Sequence, residues 1–146
     1  MGIDVRDATI ADSEQVARLV TVLGYATSTA QMGKRLESIL ADDDYATLVA
    51  LDSGQIVGFI GTRIGSLYES DGRYGQIMAL AVATDHQRRG IGRMLLHAAE
   101  SALMARGVLV FVVTSGQQRS DAHAFYEKSG YTFTGRRYKK SVRAPL

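Results

Sequence analysis

The six residues from Gln87 to Gly92, Gln-Arg-Arg-Gly-Ile-Gly, have the composition of an anion-binding turn. They follow an apolar run at 77–83 that predicts a strand, and they precede a run at 91–106 that predicts a helix. The first N–H groups of a helix have no partner inside it, and the helix dipole places partial positive charge there. Gly90 and Gly92 have no side chain, so a phosphate can approach the backbone closely. Formal positive charge comes from Arg88, Arg89 and Arg93. We therefore predict a pyrophosphate cradle.

Composition narrows the class of protein. The chain has 146 residues, enough for one domain with a sizeable core, and it is 46% hydrophobic and 22% charged. The net charge of +2 is too small to indicate a nucleic-acid partner by itself, although it suits an anionic nucleotide. There is no cysteine, so disulfides, a thiolate nucleophile and cysteine metal sites are excluded. The three histidines show no ligand spacing, and we predict no metal.

Two further observations concern location. The N-terminus carries charged residues instead of an apolar signal segment, and no apolar run approaches the ~20 residues that span a bilayer. We therefore expect a cytoplasmic protein without a membrane partner.

Hydrophobic periodicity predicts the elements that must hold the turn. An alternating stretch at Ile3 begins the chain, and two helices follow, with capping boxes predicted at Asp12/Gln15 and Ser28/Gln31. Strands at 45–51 and 56–64 are expected to form a hairpin, followed by a polar loop at 65–75 and the strand that leads into the glycine turn. The turn and its helix are followed by an apolar run at 108–113, which suits a strand buried on both faces. A short helix is predicted at 121–129, and one or two strands are predicted within 131–142. The order is β-α-α-β-β-β-α-β-α-β, an α/β domain with a mixed sheet spanning 1–146.

These elements and motifs resemble the GNAT superfamily of N-acetyltransferases. The family pattern Gln/Arg-x-x-Gly-x-Gly/Ala is matched by Gln87 to Gly92, and Phe-Tyr-x-Lys-x-Gly-Phe/Tyr is matched by residues 125–131. Leu23-Gly24-Tyr25, Thr114-Ser115-Gly116 and Asp121-Ala122-His123 look like a bacterial subgroup labelled aminoglycoside 6′-N-acetyltransferase-like.

The resemblance implies an acetyl-CoA site. The pyrophosphate would be held by the backbone N–H groups from Arg88 to Arg93, with Gln87 and Ile91 inside the same motif. The strand before the turn would expose the backbone of Leu80, Ala81 and Val82 to the pantetheine arm, in a gap where it splays from the strand at 108–113. One N–H there would face the thioester oxygen. Arg119 lies near a cofactor-contacting position of relatives.

The resemblance identifies the residues for proton transfer less completely than those for the cofactor. Tyr126 is the candidate general acid for the departing thiolate, since a phenol has a pKa near ~10. Many relatives carry a carboxylate on the strand before the turn, where this chain has Met78. Glu69 or Asp71 in the polar loop, a water chain, or an amine that arrives neutral are the alternatives. His123 is either a proton relay or a packing residue.

The resemblance therefore predicts an acetyl-CoA-dependent N-acetyltransferase acting by direct attack of a primary amine. The acceptor is a polyamine or aminoglycoside, an amino-acid-like metabolite, or a peptide N-terminus. The alternatives are a non-catalytic acyl-CoA sensor of the same fold and a nucleic-acid role for the basic residues at 136–140, which we expect to be solvated. Whether the chain forms a homodimer is left open.

Overall fold

A computed structural model describes residues 2–114, 120–135 and 137–142. Its contacts divide the chain into two compact units, residues 1–113 and 114–146, which are described separately.

The first unit contains a five-stranded mixed sheet whose spatial order follows the chain order. Its strands are β1 (Ile3–Asp7), β2 (Tyr45–Asp52), β3 (Gln55–Ser66), β4 (Arg73–Val82) and β5 (Val110–Val113). The first four strands are antiparallel neighbours, and β4 pairs with β5 in parallel. The predicted α/β class with a mixed sheet is confirmed.

Three helices belong to the same unit: α1 (Ser13–Val22), α2 (Thr29–Leu40) and α3 (Ile91–Ala105). The capping box of α2 is confirmed, because the Gln31 N–H donates to Ser28 Oγ at 3.1 Å and the Ser28 N–H donates to Gln31 Oε1 at 2.9 Å. The capping box predicted at Asp12 and Gln15 is wrong.

The start of α1 differs from the predicted capping box because a 3-10 turn, Ile10–Asp12, precedes that helix. The carboxylate of Asp12 accepts the Thr9 N–H at 2.8 Å and both terminal guanidinium nitrogens of Arg6 at 2.8 and 3.0 Å. Gln15 Oε1 instead accepts the Ile56 N–H at 2.8 Å and so ties α1 to the β2–β3 hairpin.

The two faces of the sheet carry different helices. On one face, a Cβ at Gly58 would lie 3.0 Å from Leu95, and a Cβ at Gly75 would lie 2.6 Å from Leu103, so both glycines allow α3 to pack closely. On the opposite face, α1 and α2 form the main core with the middle of the sheet, through residues that include Val16, Leu36, Val49, Phe59 and Ala81.

In strand β4, the alternation of side chains between the two faces of the sheet is interrupted by a β-bulge. The register runs Thr62↔Ile77 and then Gly61↔Ala79, which leaves Met78 as the extra residue on β4. Because of this insertion, Ile77 lies on the face of α3, whereas Ala79 lies on the face of α1 and α2. The parallel pairing of β4 with β5 ends at Ile77↔Val113, directly before the bulge.

The strand predicted at 108–113 is shorter than expected, because Val108 caps the end of α3. Its N–H donates to the Leu103 carbonyl, and its side chain is buried with Leu103 and Ile64. The expected burial on both faces is also wrong, since Val110 and Val112 are 49% and 40% exposed. β5 is the last strand in the sheet order, and only its alternate residue Phe111 packs into this core.

The second unit contains α4 (Ser120–Lys128), which ends in a turn at Gly130 with φ 95°. The strands predicted within 131–142 are absent from 131–135 and 137–142, the described part of that segment. A strand needs a buried apolar face, and here Phe133, Tyr138 and Val142 are 75%, 88% and 88% exposed.

Candidate functional site

The glycine turn has the backbone geometry of an anion cradle. Gly90 is the N-cap of α3 and adopts the left-handed conformation, with φ 82° and ψ 7°. Its carbonyl accepts the first helical hydrogen bond, from the Met94 N–H at 3.0 Å. The N–H groups of Ile91, Gly92 and Arg93 therefore precede the helical ladder and have no partner inside the helix. A Cβ at Gly90 would meet no atom within 4 Å, so the space beside the cradle is open.

Three cations surround this turn. Arg88, Arg89 and Arg93 are exposed, and the ion pairs among the described residues include none of them. Arg88 has φ 66°, so the backbone is already left-handed two residues before Gly90. Exposed arginine side chains that form no ion pair, beside N–H groups without a helical partner, fit a bound phosphate.

The loop that leads into the turn is held to the sheet by several hydrogen bonds. Gln87 Nε2 donates to the Val82 carbonyl at 3.2 Å, so its side chain closes the loop on the end of β4. The N–H of Ala83 donates to the Val57 carbonyl at 2.7 Å. These contacts fix where the turn begins relative to β4.

His86 adds an ionic contact to the same loop, which sequence reasoning missed. Its Nδ1 lies 2.9 Å from Asp85 Oδ1, and its Nε2 lies 3.1 Å from Asp52 Oδ2 at the β2–β3 hairpin. The hydrogen bond with Asp85, followed by that with Asp52, raises the pKa of His86, and its hydrogen bond with His86 lowers the pKa of Asp85. No spacing in the sequence links positions 52 and 86; their contact depends on the sheet.

Beyond the bulge, one edge of β4 has no strand partner in the described part of the chain. Because the β5 register ends at Ile77, residues 78–82 have no parallel partner on that side. The side chain of Ala81 is buried in the core, and those of Leu80 and Val82 are half-buried. Backbone groups, and not these side chains, are therefore available at the edge.

The structure places no carboxylate on β4. The bulged Met78 is 49% exposed, and the neighbours that share the face of α1 and α2 are Gln76 and Ala79. Glu69 and Asp71 are exposed and lie in the loop beyond Ser66↔Arg73, the last pair of the β3–β4 hairpin. Four intervening pairs separate that end of the hairpin from the bulge.

Tyr126 lies in the second unit, within an aromatic group on α4. Its ring contacts Phe125 edge-on at a centroid distance of 5.1 Å and Tyr131 at 5.6 Å, and its carbonyl accepts the Tyr131 N–H at 2.9 Å. The side chain is half-buried, whereas that of His123 is exposed. Four residues named in the sequence analysis lie outside the described residues: Ser115, Gly116, Arg119 and Arg136. The roles of Tyr126 and Arg119 stay predictions.

Residues 2–114, 120–135 and 137–142 contain no group of three or more His, Asp or Glu side chains arranged to hold a metal ion. No helix in these ranges is long and apolar enough to cross a bilayer.

Comparison with known proteins adds an independent line of evidence. The model of the acetyltransferase (GNAT) family matches residues 14–131. An uncharacterised N-acetyltransferase of Chlorobaculum tepidum is 30% identical over 129 residues, which cover 87% of this chain and 74% of that protein. The aminoalkylphosphonate N-acetyltransferase of Salmonella typhimurium is 26% identical over 140 residues, covering 95% of this chain and 91% of that protein.

A solved structure with a similar fold has coenzyme A bound. It is an aminoglycoside 6′-N-acetyltransferase in complex with CoA, with a TM-score of 0.85 and 18% identity; the match covers 98% of this chain and 96% of that one. At this identity the likeness concerns the fold.

Proposed function

Because this chain belongs to the GNAT family of acetyltransferases, and is thus an acyltransferase, we propose that it transfers the acetyl group of acetyl-CoA to a primary amine by direct attack. The observation that carries the proposal is the coincidence of three features along β4: the bulge at Met78, the end of the β5 register at Ile77, and the cationic cradle that opens α3.

The first unit binds the donor in this proposal. The N–H groups of Ile91, Gly92 and Arg93 hold the pyrophosphate with help from the exposed arginines, which are the charge-assisted donors that phosphate prefers. The free edge of β4 from Leu80 to Val82, apart from the Val82 carbonyl that Gln87 already binds, offers backbone hydrogen bonds to the pantetheine amides, in the manner of an added strand. Arg119 is proposed as a further phosphate contact.

The reaction requires one bond to form and one to break. Acetyl-CoA supplies an activated carbonyl carbon. The amine nitrogen attacks that carbon, the C–N bond forms, the C–S bond breaks, and the nitrogen loses a proton while the thiolate gains one. A backbone N–H at the free edge of β4 stabilises the negative charge on the carbonyl oxygen. We propose that Tyr126 protonates the thiolate.

The amine nitrogen of the acceptor must lose a proton, and β4 carries no carboxylate that could accept it. We propose that the acceptor arrives neutral or loses its proton to water, since Gln76, Met78 and Ala79 carry no basic group. Catalysis then consists mainly of positioning and charge stabilisation.

Residues 1–146 are proposed to act as a single acetyltransferase domain in the cytoplasm, on a small-molecule or peptide amine and without a nucleic-acid or membrane partner. The absence of cysteine fits a reducing compartment. The similarity to an aminoalkylphosphonate N-acetyltransferase supports small amines as the first acceptors to try.

The test is release of coenzyme A thiol from acetyl-CoA in the presence of a panel of amines, with mass spectrometry of the product. We expect thiol release that depends on both substrates and an acceptor heavier by one acetyl group. Acetyl-CoA binding without thiol release for any amine would support the non-catalytic sensor instead.

A further inference from the structure

We infer that Arg63 binds an acidic group of the acceptor, so that the enzyme acetylates short amino acids or aminoalkyl acids in preference to simple amines. This inference rests on the function proposed above. It is carried by a half-buried arginine without an anionic partner in the described ranges, on the sheet face opposite α3.

The sheet register defines that face. One row of cross-strand neighbours crosses four strands and is called the Arg63 row: Tyr45 on β2, Arg63 on β3, Gln76 on β4 and Val112 on β5. The row lies opposite α3, because the adjacent residue Ile64 packs against Leu103 of α3. The Arg63 row therefore shares the sheet face that carries α1 and α2. We take this face as the approach for the amine, because the proposed phosphate cradle lies at the start of α3.

An aromatic ring lies beside the guanidinium of Arg63. Its guanidinium carbon lies 5.9 Å from the centroid of the Tyr45 ring. On the far side along β3, the ring of Tyr74 covers Gly65, where a Cβ would come within 2.6 Å of Tyr74 Cζ. A guanidinium lying over a ring keeps its edge N–H groups available, which is the geometry that binds carboxylate or phosphonate in a bidentate manner.

The other side of Arg63 is open toward the reacting centre. A Cβ at Gly61 would meet no atom within 4 Å, although Gly61 lies between the buried Thr47 and the half-buried Ala79. Two residues along β3 span about 7 Å, so this recess leads from Arg63 to the level of the bulge at Met78. An acceptor whose amine and acid are separated by a few carbon atoms matches that span.

The charges nearby favour an anion. In the described ranges, the side chain of Arg63 takes part in no hydrogen bond and no ion pair, and its recorded contact is with the Tyr45 ring. The other positions of the Arg63 row are uncharged, and Glu69 and Asp71 are exposed in the loop beyond the end of the hairpin. A half-buried guanidinium in such surroundings gains most from an acidic ligand, since a hydrogen bond to a charged group is stronger than one to a neutral group.

The test compares matched acceptors with and without an acid. The pairs are 2-aminoethylphosphonate with ethylamine, and 3-aminopropanoate with propylamine, so the two acids also distinguish phosphonate from carboxylate. We expect kcat/KM for the preferred acid to exceed that of its partner amine, after correction for the neutral amine fraction. Arg63→Gln is expected to lower kcat/KM for the acid by about 10- to 100-fold, mainly through KM, and to leave the simple amine unchanged.

Two controls separate recognition from folding. Arg63→Lys keeps the charge without the planar fork and is expected to restore part of the preference. Arg18→Gln removes an equal charge from the exposed pair with Glu14 and is expected to leave the preference intact. Propylphosphonate, which lacks the amine, is expected to inhibit the wild type competitively and the Arg63→Gln variant far more weakly.

The outcomes distinguish the two proposals. If thiol is released with simple amines as readily as with acids, or if Arg63→Gln changes both members of a pair equally, the inference on Arg63 is overturned and the acetyltransferase proposal stands. If no amine releases thiol, the proposed function itself fails, and the acceptor role of Arg63 fails with it.

Discussion

Replacing Gly90 by glutamate separates the two properties of the cradle, its backbone conformation and its affinity for anions. Gly90 has φ 82°, so any L side chain there carries a conformational cost of about 1–2 kcal/mol. A Cβ at this position meets no atom within 4 Å, so the side chain has space and the fold is expected to survive.

The carboxylate also repels the phosphate it faces. Two unit charges about 6 Å apart, at the effective dielectric constant of ~20 found near protein surfaces, repel by about 3 kcal/mol. That energy corresponds to a loss of affinity for coenzyme A of roughly 100-fold. The matched control is Gly90→Gln, which has the same shape and the same backbone strain without the charge.

The assay is titration calorimetry of coenzyme A binding at low and at high salt, with thermal unfolding of both variants. We expect equal unfolding midpoints for the two variants and a difference in affinity that shrinks at 1 M salt, where the screening length falls to about 3 Å. Unchanged affinity in the glutamate variant would refute the cradle. Equal losses in both variants at every salt concentration would show that bulk, and not anion binding, is the cause.

Three further predictions concern protons. Tyr126→Phe is expected to lower turnover by about 10²–10³-fold with little change in acetyl-CoA affinity, and less for thioesters of more acidic thiols; an equal effect on all donors in a kinetic assay would indicate a packing role. The rate is expected to rise with pH as more acceptor becomes neutral, and pH profiles of Glu69→Gln and Asp71→Asn are expected to keep that rise; its loss would identify a loop base. Because the folded pKa of His86 is raised above its ordinary value of 6.5, its stabilising contact is complete below about pH 6.5 and is lost as pH rises through the folded pKa. His86→Gln is therefore expected to flatten the fall in stability above that pH in denaturant titrations, and an unchanged profile would contradict this contact.

The local structure of this protein can be predicted from short patterns. The Ser28/Gln31 capping box, the Ser53-Gly54 hairpin turn and the left-handed Gly90 each depend on residues within three or four positions of one another. Local patterns also mislead, as at Asp12, where the pattern with Gln15 predicts a capping box. The carboxylate instead binds Arg6, and Gln15 binds the backbone of Ile56.

The sequence by itself determined the order of the elements up to α4 and the residue types of the proposed cradle, because both follow from residue types at fixed spacing. Only the tertiary structure decided where β4 bulges, since the run Ile-Met-Ala-Leu-Ala-Val is apolar throughout and carries no signal of which residue is extra. The bulge places Gln76 and Ala79 on one face of the sheet, and pairing with β5 stops directly before it, at Ile77. The β2–β3 register brings Arg63 beside Tyr45, and the loop after β4 brings His86 beside Asp52. These pairs are 18 and 34 positions apart, and hydrogen bonding between strands is what brings such distant residues into contact.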